Sequence, residues 1–255
     1  MMKKHILNLE VTSATELRPG YVELRLKDPE GPLPDMYPGQ FVEVRVDDTP
    51  ATFLRRPISI NQVKDNELWL LVHAVGEGTR WITERRVGQR LNLVGPLGNG
   101  FSLTSAGQHP LLVGGGVGTA PLLYLGEALV RAGVQPTFLL GGRSATDLMQ
   151  TDHFRALGPV WTTTEDGTDG ERGFVTQHSL WQRADFTAVC TCGPKPMMVA
   201  VARQAAALGI PCQASLENMM ACGLGACLCC VEDTLRGNLC VCKEGPVFDT
   251  RELKW

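Results

Sequence analysis

Six of the nine cysteines in this 255-residue chain fall in one short run, "ACGLGACLCCVEDTLRGNLCVC", residues 221–242. What such a run becomes depends on the redox compartment. The amino terminus, "MMKKHILNLEVTSATELRPG", carries two lysines but no apolar stretch behind them. A secretory signal is therefore not expected, and the cytoplasm is the expected location. No apolar stretch reaches the roughly 18 residues of a membrane span. In a reducing compartment, clustered thiols serve metal binding or redox chemistry more often than disulfides.

Cys222, Cys227 and Cys230 are spaced C-x4-C-x2-C, and Cys242 follows after eleven intervening residues. That spacing suits a plant-type [2Fe–2S] centre. The loop must wrap tightly around one iron. Gly223 and Gly225 inside "CGLGAC" permit positive φ and a close approach of backbone N–H groups to sulfide. On this reading Cys222 and Cys227 hold one iron, and Cys230 and Cys242 hold the other. Cys229 and Cys240 are then surplus, small half-buried side chains near the centre. Spacing alone leaves two alternatives open. Cys240 can replace Cys242 as the fourth ligand, and four thiolates can hold structural Zn²⁺, although zinc sites usually pair two C-x2-C knuckles and this run has one.

The remainder of the chain reads as two domains of different kinds. Its length exceeds one typical domain and falls short of three, and 44% hydrophobic residues suffice for proper cores. Lys and Arg total 24 against 27 Asp and Glu, a net charge of −3, with no basic run interleaved with aromatics, so nucleic acid is not an expected partner. In the first hundred residues, "HILNLEVTSA", "YVELRLKD", "QFVEVRVDD", "ISINQV", "ELWLLVHAV" and "RLNLVGP" show alternating or β-branched apolar positions, punctuated by Gly and Pro. Six short, closely spaced strands predict a small antiparallel barrel. After "GPLGNGFSLTSAGQ" the rhythm changes. "HPLLVGGGVGTAPLLYLGEALVRAG" reads as strand, glycine-rich turn and helix, "VQPTFLLGGRS" and "GPVWTTTEDG" as strands, and "FTAVCTCGPKPMMVAVARQAAALG" as strand, turn and helix again. This alternation predicts an α/β domain on a parallel sheet. The expected organisation is a β-barrel over 1–104, the α/β domain over 105–214, and a cysteine-bearing subdomain over 215–255.

Both domains carry nucleotide-type motifs. In "RRPISI", Arg56 can pair with a pyrophosphate, Pro57 keeps the strand extended, and Ile58 and Ser59 place an apolar side chain and a hydroxyl towards a flavin. "GEGT" offers a turn opening a short helix, with Gly78 and Thr79 near its N-terminus, which favours phosphate. Each motif alone is weak; an Arg-Pro pair is usually only a strand edge or bulge. In "LLVGGGVGTAPLL", Gly114, Gly115, Gly116 and Gly118, with Thr119, lie between a strand and a helix. That placement allows a dinucleotide pyrophosphate to approach the backbone, although the spacing is not G-x-G-x-x-G. In "CGPKPMM", Cys192, Gly193 and Pro194 end a strand at the carboxyl edge of the sheet, where open α/β folds bind ligands. No acidic residue follows "LLGG" directly, and Arg143 and Ser144 can accommodate a 2′-phosphate, so NAD and NADP both remain open. His5, His109, His153 and His178 show no metal-ligand spacing, and the acidic "EDGTDGE" reads as a solvated loop.

Taken in order, "RRPISI", "GEGT", "GPLGNGF", "LLVGGGVGTAPL", "CGPKPM", "MACGLGACLCC" and "VCKEGPVF" resemble the ferredoxin–NADP reductase superfamily, and within it the electron-transfer subunits of class 1B dihydroorotate dehydrogenases. The resemblance spans essentially the whole chain. It implies FAD in the barrel, with Leu71, Val72 and His73 as a second flavin strand, NAD at the α/β domain, and one [2Fe–2S] cluster whose fourth ligand is Cys242. It implies no catalytic acid or base in this chain. It also implies a partner, an FMN-containing catalytic subunit that oxidises dihydroorotate in pyrimidine (UMP) biosynthesis, assembled as a heterotetramer of two of each chain. Electrons would pass from that partner through the cluster and FAD to NAD⁺. The short loop between third and fourth ligands departs from the family pattern. A reductase subunit for another partner, of hydrogenase, glutamate synthase or pyrimidine reductase type, and a non-enzymatic zinc-stabilised module are the competing readings.

Overall fold

The computed structural model describes residues 3–47, 52–183 and 185–255. Six strands, β1 (His5–Arg18), β2 (Tyr21–Lys27), β3 (Phe41–Val44), β4 (Arg56–Lys64), β5 (Glu67–His73) and β6 (Arg90–Leu97), close into a barrel in the order β1-β2-β5-β4-β3-β6. Successive side chains of a strand point to opposite faces. Leu7, Leu9 and Val11 of β1, Leu24 and Leu26 of β2, and Val42 and Val44 of β3 therefore meet in one interior core. The helix α1 (Glu77–Thr83) adds Ile82 to that core. All six expected strands are present; Asp48, at the end of the third expected segment, lies outside the described residues.

The short helix α2 (Leu103–Ala106) leads into the second domain. There follow β7 (Pro110–Gly115), α3 (Ala120–Arg131), β8 (Thr137–Gly142), α4 (Thr151–Arg155), β9 (Val160–Thr164), β10 (Glu171–Arg172), β11 (Ala188–Cys192), α5 (Lys195–Ala207) and β12 (Cys212–Ser215). The strands pair in parallel in the order β10-β9-β8-β7-β11-β12. Their apolar runs do not alternate because both faces of the sheet are covered. Leu112 and Leu140 pack on the α3 side with Leu122 and Leu125, whereas Leu111, Val113 and Leu139 pack on the α5 side with Val201 and Ala205.

The tail forms the hairpin β13 (Val231–Thr234) and β14 (Gly237–Cys240), the turn of helix α6 (Val241–Glu244), and β15 (Val247–Asp249). β15 joins the large sheet as its seventh strand, antiparallel to β12. The sequence reading placed residues 215–255 in a subdomain of their own, but three of them extend the sheet of the domain before it. The barrel and the sheet domain are also tied together directly. Tyr124 of α3 reaches into the barrel core, its hydroxyl donating to the Met36 carbonyl at 2.7 Å. Fully buried Asn61 of β4 donates to the Ala120 carbonyl at 3.0 Å and to Gln150 at 3.2 Å.

Candidate cofactor sites

Two clefts open between the barrel and the sheet domain. The larger, about 630 Å³, runs along the carboxyl ends of β7, β8 and β9. Gly115, Gly116 and Gly118 form part of its floor, and Pro194 and Met197 of the opposite turn form part of its wall. Gly118 has a specific reason to be glycine: a Cβ there would collide with the backbone of Gly193. The two glycine-rich turns are thus pressed against each other, and Gly193 adopts φ +151° to permit it. Gly114 and Thr119 play supporting parts below the floor. A Cβ on Gly114 would strike Leu122 and Thr119, and the Thr119 hydroxyl donates to the Gly116 carbonyl at 3.0 Å.

One expectation about this cleft needs correction. Cys192 does not face it. Its side chain is buried, and its Sγ lies 3.8 Å from Oε1 of Glu217, which does line the cleft. Glu217 is exposed to the cleft between protein walls, and the desolvation those walls impose raises its carboxyl above the usual range. No acidic residue stands at the immediate end of β8, as expected, but one reaches back to it from the following turn. Asp147 folds back so that its Oδ2 accepts the N–H groups of Arg143 and Ser144 at 2.9 and 3.0 Å, while Oδ1 pairs with Arg18 of the barrel. Asp147 comes four residues after Arg143, beyond the immediate strand end, which hid it from the sequence reading. Arg143 and Glu165 both line the cleft.

The smaller cleft, about 370 Å³, is lined by Pro57, Ile58 and Ser59 of β4, by Leu71 and His73 of β5, and by residues 215–218. Val72 points the other way, into the barrel core, as alternation along β5 requires. Arg56, Gly78 and Thr79 meet beside this cleft. A Cβ on Gly78 would lie 2.6 Å from Arg56 Nε, so the missing side chain is what lets the guanidinium lie over the turn. Thr79 holds that turn closed; its hydroxyl oxygen accepts from the N–H groups of Val75 and Gly76 at 3.0 and 3.1 Å. His73 stacks on Tyr21 with centroids 3.9 Å apart, and the Arg18 guanidinium lies over the Tyr21 ring, 4.7 Å from its centroid. Burial, with Arg18 and Arg143 nearby, lowers the His73 pKa and favours its neutral ring. The two clefts meet: His73, Val117 and Glu217 line both.

The cysteine loop lies against this junction. Phe41 and Met220 line the smaller cleft, and Phe41 also packs with Cys230 and Cys242 in the core beneath the tail. The four expected ligands form two thiol pairs. The Cys222 thiol interacts with Cys227, and the Cys242 thiol with Cys230. Backbone N–H groups point at the sulfurs, from Leu224 and Ala226 to Cys222 at 3.3 and 3.4 Å, from Gly225 to Cys242 at 3.1 Å, and from Cys242 to Cys230 at 3.4 Å. Gly223 and Gly225 take φ of +64° and +81°, which lets the loop fold this way. Burial opposes ionisation of Cys222, yet the N–H groups of Leu224, Cys227 and Ala226 bring its thiol down to about 6. Two thiol pairs with convergent N–H donors suit a two-iron centre, which takes two thiolates per iron. Among the described residues, no group of three or more His, Cys, Asp or Glu is arranged to hold a single ion. The spacing left Cys240 open as fourth ligand, but the N–H of Gly225 points at Cys242, whereas the backbone N–H of Cys240 donates to Glu244 at 2.9 Å.

Comparison with known proteins agrees with this geometry. Residues 217–254 match the family model described as "Iron-sulfur cluster binding domain of dihydroorotate dehydrogenase B", and residues 112–203 match "Oxidoreductase NAD-binding domain". The "Dihydroorotate dehydrogenase B (NAD(+)), electron transfer subunit" of Shouchella clausii (strain KSM-K16) is 39% identical over 265 aligned residues, covering 99% of both chains. This chain belongs to that family of electron transfer subunits. The Bacillus pumilus (strain SAFR-032) member is 37% identical, covering 99% of this chain and 98% of its own. Among solved structures, one described under "flavin-based electron bifurcation via the NADH-dependent reduced ferredoxin-NADP oxidoreductase" superposes with a TM-score of 0.86 at 27% identity, covering 100% of this chain and 92% of its own. The "Ferredoxin reductase in carbazole 1,9a-dioxygenase" shares the fold, with a TM-score of 0.71 at 22% identity, covering 82% of this chain and 68% of its own. Members of the family work with FAD, a [2Fe–2S] cluster and NAD, and the two clefts and the cysteine loop are the places in this chain that fit them. No helix among the described residues is long and apolar enough to cross a membrane.

Proposed function

We propose that this chain passes electrons between a dihydroorotate-oxidising catalytic subunit and NAD⁺, through three sites in series. The cysteine loop lies at one end, the smaller cleft in the middle and the larger cleft at the far end. The observation that carries this reading is the junction itself: His73, Val117 and Glu217 border both clefts, and Phe41 joins the smaller one to the cysteine core. When bound, the cluster supplies one-electron transfer, FAD the exchange between single electrons and a hydride, and NAD⁺ the final acceptor.

The protein's own residues position and exclude. Arg56 over Gly78 presents a guanidinium to a pyrophosphate, while Pro57, Ile58, Ser59 and Leu71 form walls for a flat ring system. The floor of Gly115, Gly116 and Gly118 lets a second pyrophosphate approach the backbone. The neutral, stacked His73 offers a flat surface at the meeting point without adding charge there. Cys222, Cys227, Cys230 and Cys242 are the cluster ligands in this reading, and Cys229 and Cys240 are bystanders. The catalytic partner carries FMN, and the complex holds two of each chain.

The test is reconstitution. The anaerobically purified chain is mixed with an FMN-containing dihydroorotate-oxidising subunit, and complex mass and NADH formation from dihydroorotate and NAD⁺ are measured. A complex of two plus two chains that makes NADH only when both chains are present is expected. Absence of both complex and NADH, with iron and flavin present, would assign the chain to a different partner.

A further inference from the structure

β3 shows what covers each of its faces. Val42 and Val44 point into the barrel core, and Phe41 points outward into the core beneath the cysteine tail. Glu43 shares the outward face with Phe41. It is 1% exposed, and neither carboxylate oxygen has a hydrogen-bond partner. A buried, unpartnered carboxylate is costly and is not retained for stability. Arg55 does not hydrogen-bond the carboxylate; that guanidinium donates instead to the Glu43 main-chain carbonyl at 3.2 Å and to Asn92. What the carboxylate touches is the ligand loop. A Cβ on Gly223 would lie 2.7 Å from Glu43 Cγ and 2.9 Å from Oε1. Across the ladder, Glu43 pairs with Pro57 of the flavin-cleft strand. The carboxylate is therefore wedged between the loop that holds Cys222 and Cys227 and the strand that borders the smaller cleft.

We propose that Glu43 is a tuning residue for the iron–sulfur centre, its buried carboxylate setting the potential at which that centre accepts an electron. The proposal rests on the reading of Cys222, Cys227, Cys230 and Cys242 as cluster ligands. No bond forms or breaks; the centre gains one electron from the partner side while Glu43 remains in place. A negative charge held in a low-dielectric wedge opposes the arrival of another, so the carboxylate lowers the potential, and an uncharged side chain raises it. The charged groups facing it are Arg55, Arg56 and the Cys222 sulfur. Burial raises the carboxyl and the two arginines oppose it, so the comparison is made at alkaline pH, which favours the ionised form.

The experiment is an EPR-monitored redox titration of the iron-loaded, full-length protein and its Glu43→Gln, Glu43→Met and Glu43→Asp variants, with iron quantified on each sample. At about pH 9, Glu43→Gln and Glu43→Met are expected to keep their iron. At a fixed potential their reduced-to-oxidised ratio should rise by about tenfold, about 59 mV for a one-electron couple. Glu43→Asp, which keeps the charge, should stay near the wild type. Because the two neutral variants differ in polarity, a packing defect in one does not imitate a shared upward shift. Iron-loaded neutral variants with the wild-type potential would overturn the role of Glu43 and leave the cluster reading intact. A wild-type protein without iron would overturn both.

Discussion

The larger cleft and the cysteine loop meet the same demand, surrounding a negatively charged group with backbone, by opposite means. The cleft is made from regular elements. Its glycines stand at the ends of parallel strands, and the fit of Gly118 against Gly193 follows from the spacing of β7 and β11 in the sheet. The loop is irregular. Its N–H groups converge on Cys222 and Cys242 through positive-φ glycines, with Leu228 also at φ +60°. A site made from a sheet keeps its shape without its ligand. A site made from a loop depends on what its thiols hold.

Removing one ligand should therefore separate the two regions, and this is the largest expected effect. Cys242→Ser should lose the iron while leaving NADH binding intact. Cys240→Ser should keep the iron, and iron-to-protein ratios measured alongside NADH titrations check both. Loss of iron from Cys240→Ser would reverse the choice of fourth ligand.

Glu43 sharpens the contrast through pH. Its carboxyl is raised from 4.5 to about 7 in the folded chain, so the folded state binds the extra proton between those values. The associated stability is fully present below about pH 4.5 and is lost as pH rises through about 7, a change of about 3 kcal/mol at most. Melting temperatures of wild type and Glu43→Gln should diverge in favour of the variant from about pH 5 to pH 8. A constant gap would contradict this.

The reverse separation comes from Gly118→Ala. A Cβ against the Gly193 backbone must push the two turns apart, at about 1–3 kcal/mol. NADH binding should weaken about tenfold or more with iron and flavin content unchanged, as calorimetry and cofactor analysis would show. The smallest effect is expected for Gly78→Ala. Its Cβ meets the side chain of Arg56 and not backbone, and a side chain can move aside. Flavin affinity should fall by about 1 kcal/mol, roughly fivefold, with the other two sites untouched.

The same contrast explains what was legible in the sequence. Alternation announced all six barrel strands, and glycine-rich turns after apolar runs announced β7 and β11, because each signal is local. β15 was missed because a three-residue strand has no periodicity of its own; only its pairing with residues 213–215 makes it a strand. Asp147 and Glu217 were missed for a related reason. Neither lies in a motif. Asp147 reaches the β8 end by folding back over a turn, and Glu217 reaches both clefts only because β12 delivers it there. Cys192 was placed in the cleft because it ends a strand, but its side chain falls on the buried side. Val72 was assigned with its neighbours although alternation sends it inward. The iron–sulfur region was the most legible of all, since its cysteine spacing sits in one short run of sequence.

The central claim is that three redox sites stand in series in one chain. The most direct test is the visible absorption spectrum of the anaerobically purified protein, with iron, zinc and flavin quantified on the same sample. The account predicts flavin bands over a broad cluster absorbance, with about two irons and one FAD per chain. A colourless protein that carries zinc and no flavin would contradict it.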